Sequence, residues 1–244
     1  MEIFDDLEAE QDALEAVLAG LPGDAWLRPS AAEGWTVADV VLHLAQTEEG
    51  VVASAGSALP ARGWEHLGAD VDSAMDAAVR AERTDPATIF ERWRTARRDA
   101  LAALRAADPG RPLVWVTTSL KPRTLATTRL AEHWAHALDV VDALGIDYPD
   151  TVRLRHIAWL GHSTLPYAFG LIGEPAHPVY CELAAPDGAQ WTFGPPDAAS
   201  TISGAAGAFC RVGAQRLTPS ESGLATHGPH AATALRVLRN YAAT

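Results

Sequence analysis

The chain has 244 residues, of which 48% are hydrophobic and 20% are charged, and its formal net charge is -12. This composition is typical of a folded globular protein and excludes a largely disordered chain. An acidic surface repels phosphate backbones and anionic lipids, and no apolar run approaches the roughly 20 residues of a membrane-spanning helix, so we expect neither nucleic acid nor a membrane as a partner.

The first 148 residues are predicted to form a helical bundle. Apolar spacing and helix-start signals predict helical segments at about 2–19, 37–56, 71–82, 85–107 and 123–145. Thr36 followed by Asp39 resembles a capping box for the second segment, and Gly145 closes the last one. A loop is predicted at about 56–68, and residues 114–123 are predicted to be irregular. Four helices, one of them broken or extended, are typical of a four-helix bundle.

The composition changes after residue 148, which predicts a second domain over residues 149–244. A linking helix is expected at about 151–172. Two β-prone runs flank Pro186-Asp187-Gly188, which indicates a hairpin. The remaining predicted elements are a helix at 201–214, a short strand near 223–227 and a helix at 230–242. The predicted fold class is therefore mainly α, with a four-helix bundle followed by a small α+β domain.

The sharpest local pattern lies on the last helix of the predicted bundle. Glu132 and His136 are four residues apart and project from one face, with Asp139 one turn further on. A carboxylate and an imidazole in this arrangement can reach one divalent ion, and Asp139 could orient His136. His43, on the second helix, is the best candidate for a third ligand. Amphipathicity alone allows another interpretation, in which this polar side is simply solvated.

Two separated motifs extend this pattern to a known family. GWTVADVVLHLAQTEE at residues 34–49 resembles the second-helix signature of the DinB-like metalloenzyme superfamily. RLAEHWAHALDVVDALG at residues 129–145 resembles the ExWxHxxD signature of its mycothiol-dependent maleylpyruvate isomerase branch. The C-terminal part, with PDGAQWTFGP and GAQR, is similar to the accessory domain of an actinobacterial subgroup. The resemblance implies a four-helix bundle with a metal triad at His43, Glu132 and His136.

The resemblance also implies a function. A divalent metal, usually zinc, would bind the thiolate of mycothiol, and that thiolate would attack an electrophilic small molecule. The expected activity is a thiol transferase or isomerase, in which Glu132, Asp139 and Arg216 are the candidate catalytic residues. Arg216 would also bind an anionic group of the cofactor or substrate, although it could equally be a surface arginine. The alternatives are a metal-dependent enzyme of specialised metabolism that uses no thiol, and a non-catalytic metal- or ligand-binding protein.

Several other residues favour plainer interpretations. Cys181 and Cys210 are too few for a disulfide framework and are expected to be buried, small apolar residues. This low cysteine content fits the reducing cytoplasm. The protein is expected to be a monomer or a homodimer. His133 points away from Glu132 on the helix and is left out of the site. The single lysine, Lys121, indicates a GC-rich genome, which is compatible with an actinobacterium.

A few aromatic and charged residues are given structural roles. Trp35 and Trp134 are expected in the bundle core, and Trp191 on the C-terminal hairpin. Asp39 is interpreted as a helix cap, although its spacing would also let it contact His43. The run of arginines on the fourth helical segment is interpreted as a solvated face; its members are Arg92, Arg94, Arg97 and Arg98.

Overall fold

A computed structural model of the chain describes residues 2–56, 70–116 and 118–241, so the loop predicted at about 56–68 lies almost wholly outside the described residues. The chain divides into two compact units, the first ending at Tyr148 and the second beginning at Pro149. Within the described ranges, no helix has both the length and the apolar character needed to cross a membrane.

The first unit is a bundle of long helices, with a short helix and a hairpin inserted between them. Its helices are α1 (Ile3–Ala19), α2 (Val37–Gly56), α3 (Val71–Ala81), α4 (Pro86–Ala106) and α5 (Pro122–Leu144). These bounds agree with the sequence prediction within one or two residues. Helix α2 packs chiefly against α4, and α1 packs chiefly against α5. The predicted four-helix bundle is confirmed.

The ends of the helices are formed by capping motifs that can be recognised in the sequence. The backbone N–H of Thr36 donates to Asp39 at 2.9 Å, and the backbone N–H of Asp39 donates to the Thr36 hydroxyl at 3.2 Å. This reciprocal pair is the expected capping box at the start of α2. Asp85 caps α4, with Pro86 in its first turn. Gly145 ends α5 in the left-handed conformation, with φ of 69°.

The segment predicted to be irregular contains a short antiparallel hairpin instead. Strand β1 (Leu113–Trp115) pairs with β2 (Thr118–Leu120). Aromatic and β-branched residues favour strands here. Hairpin turns usually place glycine or asparagine where the backbone adopts a positive φ. Here Val116 has that conformation, with φ of 46°, so the sequence carries no turn signal. The prediction was wrong for this reason.

The arginines of α4 are only partly the solvated face that was predicted. The residue accessibility of Arg97 is only 9%, and its guanidinium pairs with Asp12 at 2.8 Å and also with Glu15. The same group lies over the ring of Trp93, 5.4 Å from the centroid. For Arg97 the prediction was wrong, because α1 and an aromatic ring cover it.

The second unit combines short helices with one sheet. Its elements are α6 (Leu154–Ser163), α7 (Leu165–Leu171), β3 (Tyr180–Ala184), β4 (Gln190–Phe193), β5 (Thr201–Ala205), α8 (Ala206–Gly213), β6 (Ala225–His227) and α9 (Ala231–Val237). The strand order is β4-β3-β5-β6, with β3 and β5 parallel and the other neighbours antiparallel. The expected hairpin is formed by β3 and β4, and buried Trp191 lies on it.

Three element predictions in this unit need correction. The single helix at 151–172 is two helices, because Pro166 cannot donate to the preceding turn and starts α7 instead. The helix at 201–214 is strand β5 followed by α8, because β3 and β6 pair with β5 on both sides. The last helix, predicted at 230–242, is the shorter Ala231–Val237.

Both cysteines are buried in the second unit and form no disulfide. Burial raises the pKa of the Cys181 thiol to about 12 and raises the pKa of the Cys210 thiol even further. The burial of both cysteines agrees with the sequence prediction, and thiols with raised pKa values are poor nucleophiles.

Candidate metal centre

The three predicted ligands lie together inside the first unit, one on α2 and two on α5. Nε2 of His43 lies 3.0 Å from Oε1 of Glu132, and Nε2 of His136 lies 3.3 Å from the same oxygen. One donor atom from each residue falls within 4.8 Å of the other two. Among the described residues, this is the one group of three histidine, cysteine or acidic side chains with such spacing.

These separations suit a divalent ion. Zinc binds imidazole nitrogen and carboxylate oxygen at about 2.0–2.2 Å. Two ligands at that distance and at angles of about 90–109° are about 2.9–3.4 Å apart, which agrees with the separations of 3.0 and 3.3 Å in the structure. Two imidazoles and a carboxylate are a common donor set for zinc, and three protein ligands leave a position open for an exogenous ligand.

Asp139 lies behind His136, where the sequence placed it. The Nδ1 atom of His136 lies 2.9 Å from Oδ2 of Asp139, whose side chain is fully buried. A carboxylate in this position fixes the ring orientation and leaves Nε2 directed at the site. The side chain of His136 is 13% exposed, so the interpretation of this side of α5 as a solvated face is wrong. By contrast, Nδ1 of His43 has no hydrogen-bond partner among the described residues.

The protonation states follow from burial and from these contacts. Burial lowers the pKa of His43, which keeps its imidazole neutral. Burial opposes the ionisation of Glu132, but its hydrogen bonds with His136 and His43 outweigh this and hold its pKa well below the usual range. Burial would also lower the pKa of His136, yet hydrogen bonds with Asp139 and Glu132 raise it to about 9. At neutral pH the metal-free site therefore holds one protonated histidine.

Trp35 is partly buried and packs against the bundle core, in line with the prediction, and it also lies beside the imidazoles. Its ring centroid is 5.1 Å from that of His43 and 6.3 Å from that of His136. The indole N–H donates to Asp76 of α3 at 2.9 Å, which fixes the ring. Trp134 is buried, as predicted. The contact of Trp35 with the site could not be found from the sequence, because it depends on how the chain before α2 folds back.

Sequence reasoning also missed a buried polar network beside the site. His133 is fully buried, with Nδ1 2.9 Å from the Arg129 carbonyl oxygen, and its Nε2 accepts from the Trp93 indole at 3.3 Å. Burial lowers the pKa of His133 to about 3, so the ring is neutral. Arg129 pairs with Glu48 at 2.9 Å, and both side chains are almost completely buried. Burial raises the pKa of Glu48, and the Arg129 charge opposes that shift.

Two other candidate residues make hydrogen bonds of their own. Arg216 belongs to the second unit, where it follows α8 and its Nη1 donates to the Ala214 carbonyl at 2.9 Å. Asp39 caps α2 and accepts two hydrogen bonds from Arg83, at 2.8 and 2.9 Å. Both Asp39 oxygens are thus engaged at the helix start, in agreement with the cap interpretation.

Relatives of known sequence support the assignment of the bundle. Residues 7–141 match the family model described as the mycothiol maleylpyruvate isomerase N-terminal domain. The chain is also 41% identical over 218 residues to an uncharacterized protein found in two strains of Mycobacterium tuberculosis, and this match covers 86% of the chain and 84% of the relative.

Solved structures show the same fold. The crystal structure of the mycothiol-dependent maleylpyruvate isomerase aligns with a TM-score of 0.63 at 15% identity, over 93% of this chain and 95% of that one. A histidine-to-alanine mutant of that isomerase aligns over the same shares, with a TM-score of 0.61 at 14% identity. Because the family model covers more than half of the sequence, the chain belongs to the mycothiol maleylpyruvate isomerase N-terminal domain family.

Proposed function

We propose that this protein is a metal-dependent enzyme that uses mycothiol to attack an electrophilic small molecule, as a thiol transferase or isomerase. The observation that carries the proposal is the convergence of His43, Glu132 and His136 on one point, with separations that suit a divalent ion, zinc being the first choice. Membership of the family and the fold shared with a mycothiol-dependent isomerase support the choice of thiol.

The residues of the site have separate tasks in this proposal. A divalent ion held by the triad would lower the pKa of a thiol, so that the nucleophile exists at neutral pH. Asp139 keeps His136 oriented through its contact with Nδ1. Trp35 packs beside the two imidazoles and would limit the access of water on that side. Arg216 would bind a carboxylate or another oxygen of the substrate or the thiol, for which a guanidinium is suited.

The proposal is tested by comparing thiols on zinc-loaded protein. Mycothiol and glutathione are supplied in turn with an activated alkene, a substrate with a leaving group, or an epoxide, and with maleylpyruvate for isomerisation. We expect turnover with mycothiol and little with glutathione. Turnover without any thiol would instead support a metal-dependent enzyme of another kind. Zinc binding with neither turnover nor mycothiol binding would support a non-catalytic binding protein.

Zinc uptake is expected to release about one proton per ion at pH 7.5. The imidazole of His136, with a pKa of about 9, must lose its proton before Nε2 can bind a metal, whereas His43 is already neutral. The apparent zinc affinity should therefore rise about tenfold per pH unit and level off above about pH 9. Calorimetry in two buffers with different ionisation enthalpies measures the proton count. Zinc binding without proton release would contradict a charged His136.

Replacing Glu132 with glutamine is expected to weaken zinc binding by more than the about 10–100-fold that residues orienting a ligand contribute. It should also abolish thiol-dependent turnover, because a neutral amide is a poorer ligand than a carboxylate. Competition with a chromophoric chelator measures the affinity. Glu91→Gln is the matched control, because its side chain is 66% exposed and, among the described residues, pairs with Arg94 in the same helix. Wild-type affinity and turnover in Glu132→Gln would remove Glu132 from the site.

A further inference from the structure

A buried ion pair lies about one helical turn from the proposed ligands, and neither of its residues is a ligand. Arg129 precedes Glu132 by three residues on α5, and Glu48 follows His43 by five residues on α2. Nε of Arg129 donates to Oε1 of Glu48 at 2.9 Å, and the side chains are 3% and 0% exposed. The pair therefore joins the two helices that carry the triad.

The guanidinium is fixed by further contacts. Its Nη2 donates to Oγ1 of Thr47 at 2.7 Å, and Thr47 in turn donates to the backbone carbonyl of His43 at 2.9 Å. One side chain thus connects Arg129 to the backbone of a proposed ligand. The ring of Trp115, on β1, covers the guanidinium with its centroid 5.4 Å from the central carbon. Arg129 therefore has a single well-defined position.

Stability alone is a poor explanation for this pair. Removing two charges from water costs several kcal/mol per ion, and replacing a buried pair with apolar residues is often neutral or stabilising. Buried polar pairs can instead specify one geometry among several. A contact that fixes the geometry between α2 and α5 is useful here, because α2 packs chiefly on α4 and α5 packs chiefly on α1. The triad nevertheless needs α2 and α5 in one fixed register.

We propose that Arg129 and Glu48 are positioning residues that set the register of α5 against α2, and thereby align Glu132 and His136 with His43. This inference rests on the proposed metal site. A positioning role and a purely electrostatic role predict opposite changes in metal affinity when Arg129 is replaced. Removing the Arg129 charge alone would draw a cation more strongly to the remaining carboxylates, whereas losing the register would weaken metal binding.

The test uses Arg129→Met combined with Glu48→Gln, which removes both charges and leaves the net charge unchanged. We expect about 10–100-fold weaker zinc binding, as for other residues that orient metal ligands. We also expect an altered visible spectrum of the cobalt-substituted protein, which reports ligand geometry. The metal-free variant should keep its circular dichroism, because the apolar core of the bundle is unchanged. Arg129→Lys keeps the charge but not the planar fork, and serves as a second variant with a several-fold loss of affinity.

The matched control is Arg123→Met combined with Glu2→Gln. This pair also involves α5, at 2.9 Å, but its side chains are 53% and 65% exposed, so zinc affinity should not change. Unchanged or tighter zinc binding in the Arg129 variants, with wild-type spectra, would overturn the positioning role while leaving the metal site intact. A wild-type protein that binds no zinc would overturn the proposed function and, with it, this inference.

Discussion

Replacing His43 and His136 together with alanine is expected to remove essentially all bound divalent metal and all thiol-dependent turnover. The wild-type protein should carry about one ion per chain, most often zinc, by elemental analysis. The double variant loses two of three protein ligands, and a single carboxylate does not hold a transition-metal ion in competition with water and buffer. This is the largest change expected for any substitution in the chain.

The fold should survive this change, because the bundle has an apolar core of its own that does not depend on a metal. Fully buried core side chains include Leu7, Leu14, Leu18, Leu42, Leu44 and Trp93. Circular dichroism of the variant should therefore match that of the wild type. His227→Ala, which removes an exposed histidine of β6, is the matched control and should keep its metal. Full metal retention in the double variant would reject the triad.

Replacing Arg216 with alanine is expected to lower kcat/KM by about 10–100-fold without changing the metal content. In transition-state free energy this is about 1.4–2.7 kcal/mol, which is within the range for a charged hydrogen bond to a substrate. Lysine at this position should restore little if the contact is bidentate, because an ammonium group cannot form the paired hydrogen bonds of a guanidinium. Steady-state kinetics and elemental analysis on the same preparations separate the two effects.

The control for Arg216 is Arg236→Ala, which removes an exposed arginine from α9 in the same unit. Its kinetic constants should equal those of the wild type. If Arg216→Ala also has wild-type kinetics, Arg216 is a surface arginine that does not contact the substrate. Loss of metal in Arg216→Ala would instead indicate damage to the fold.

Much of the bundle could be predicted because its signals are local. A capping box, an early proline and a closing glycine mark helix ends within a few residues of where they occur. Helical spacing alone places Glu132 and His136 on one face of α5, one turn apart, but it left a solvated face as an alternative to a ligand pair. Spacing within one helix says nothing about its neighbour, so the sequence offered His43 only as the best candidate for a third ligand, and the second motif was needed to support that choice.

The features that were not predicted depend on contacts between distant parts of the chain. Strand β5 is a strand because β3 and β6 pair with it, although its small residues suit a helix equally well. The hairpin that carries Trp115 lacked a turn signal, and its contact with Arg129 was therefore also missed. The burial of Arg129 and Glu48 could not be inferred, because charged side chains on a helix are usually exposed.

An enzyme that activates a thiol against electrophiles must itself withstand those electrophiles. The two cysteines of this chain meet that requirement through their surroundings, since both are buried and burial raises their thiol pKa values far above neutral. A vanishing fraction of either is thiolate at physiological pH, so neither would compete with the proposed mycothiol nucleophile for a substrate. Resistance to self-alkylation is thus built into the packing of the second unit, and thiol-reactive substrates can be assayed on the native protein without blocking its own sulfur atoms.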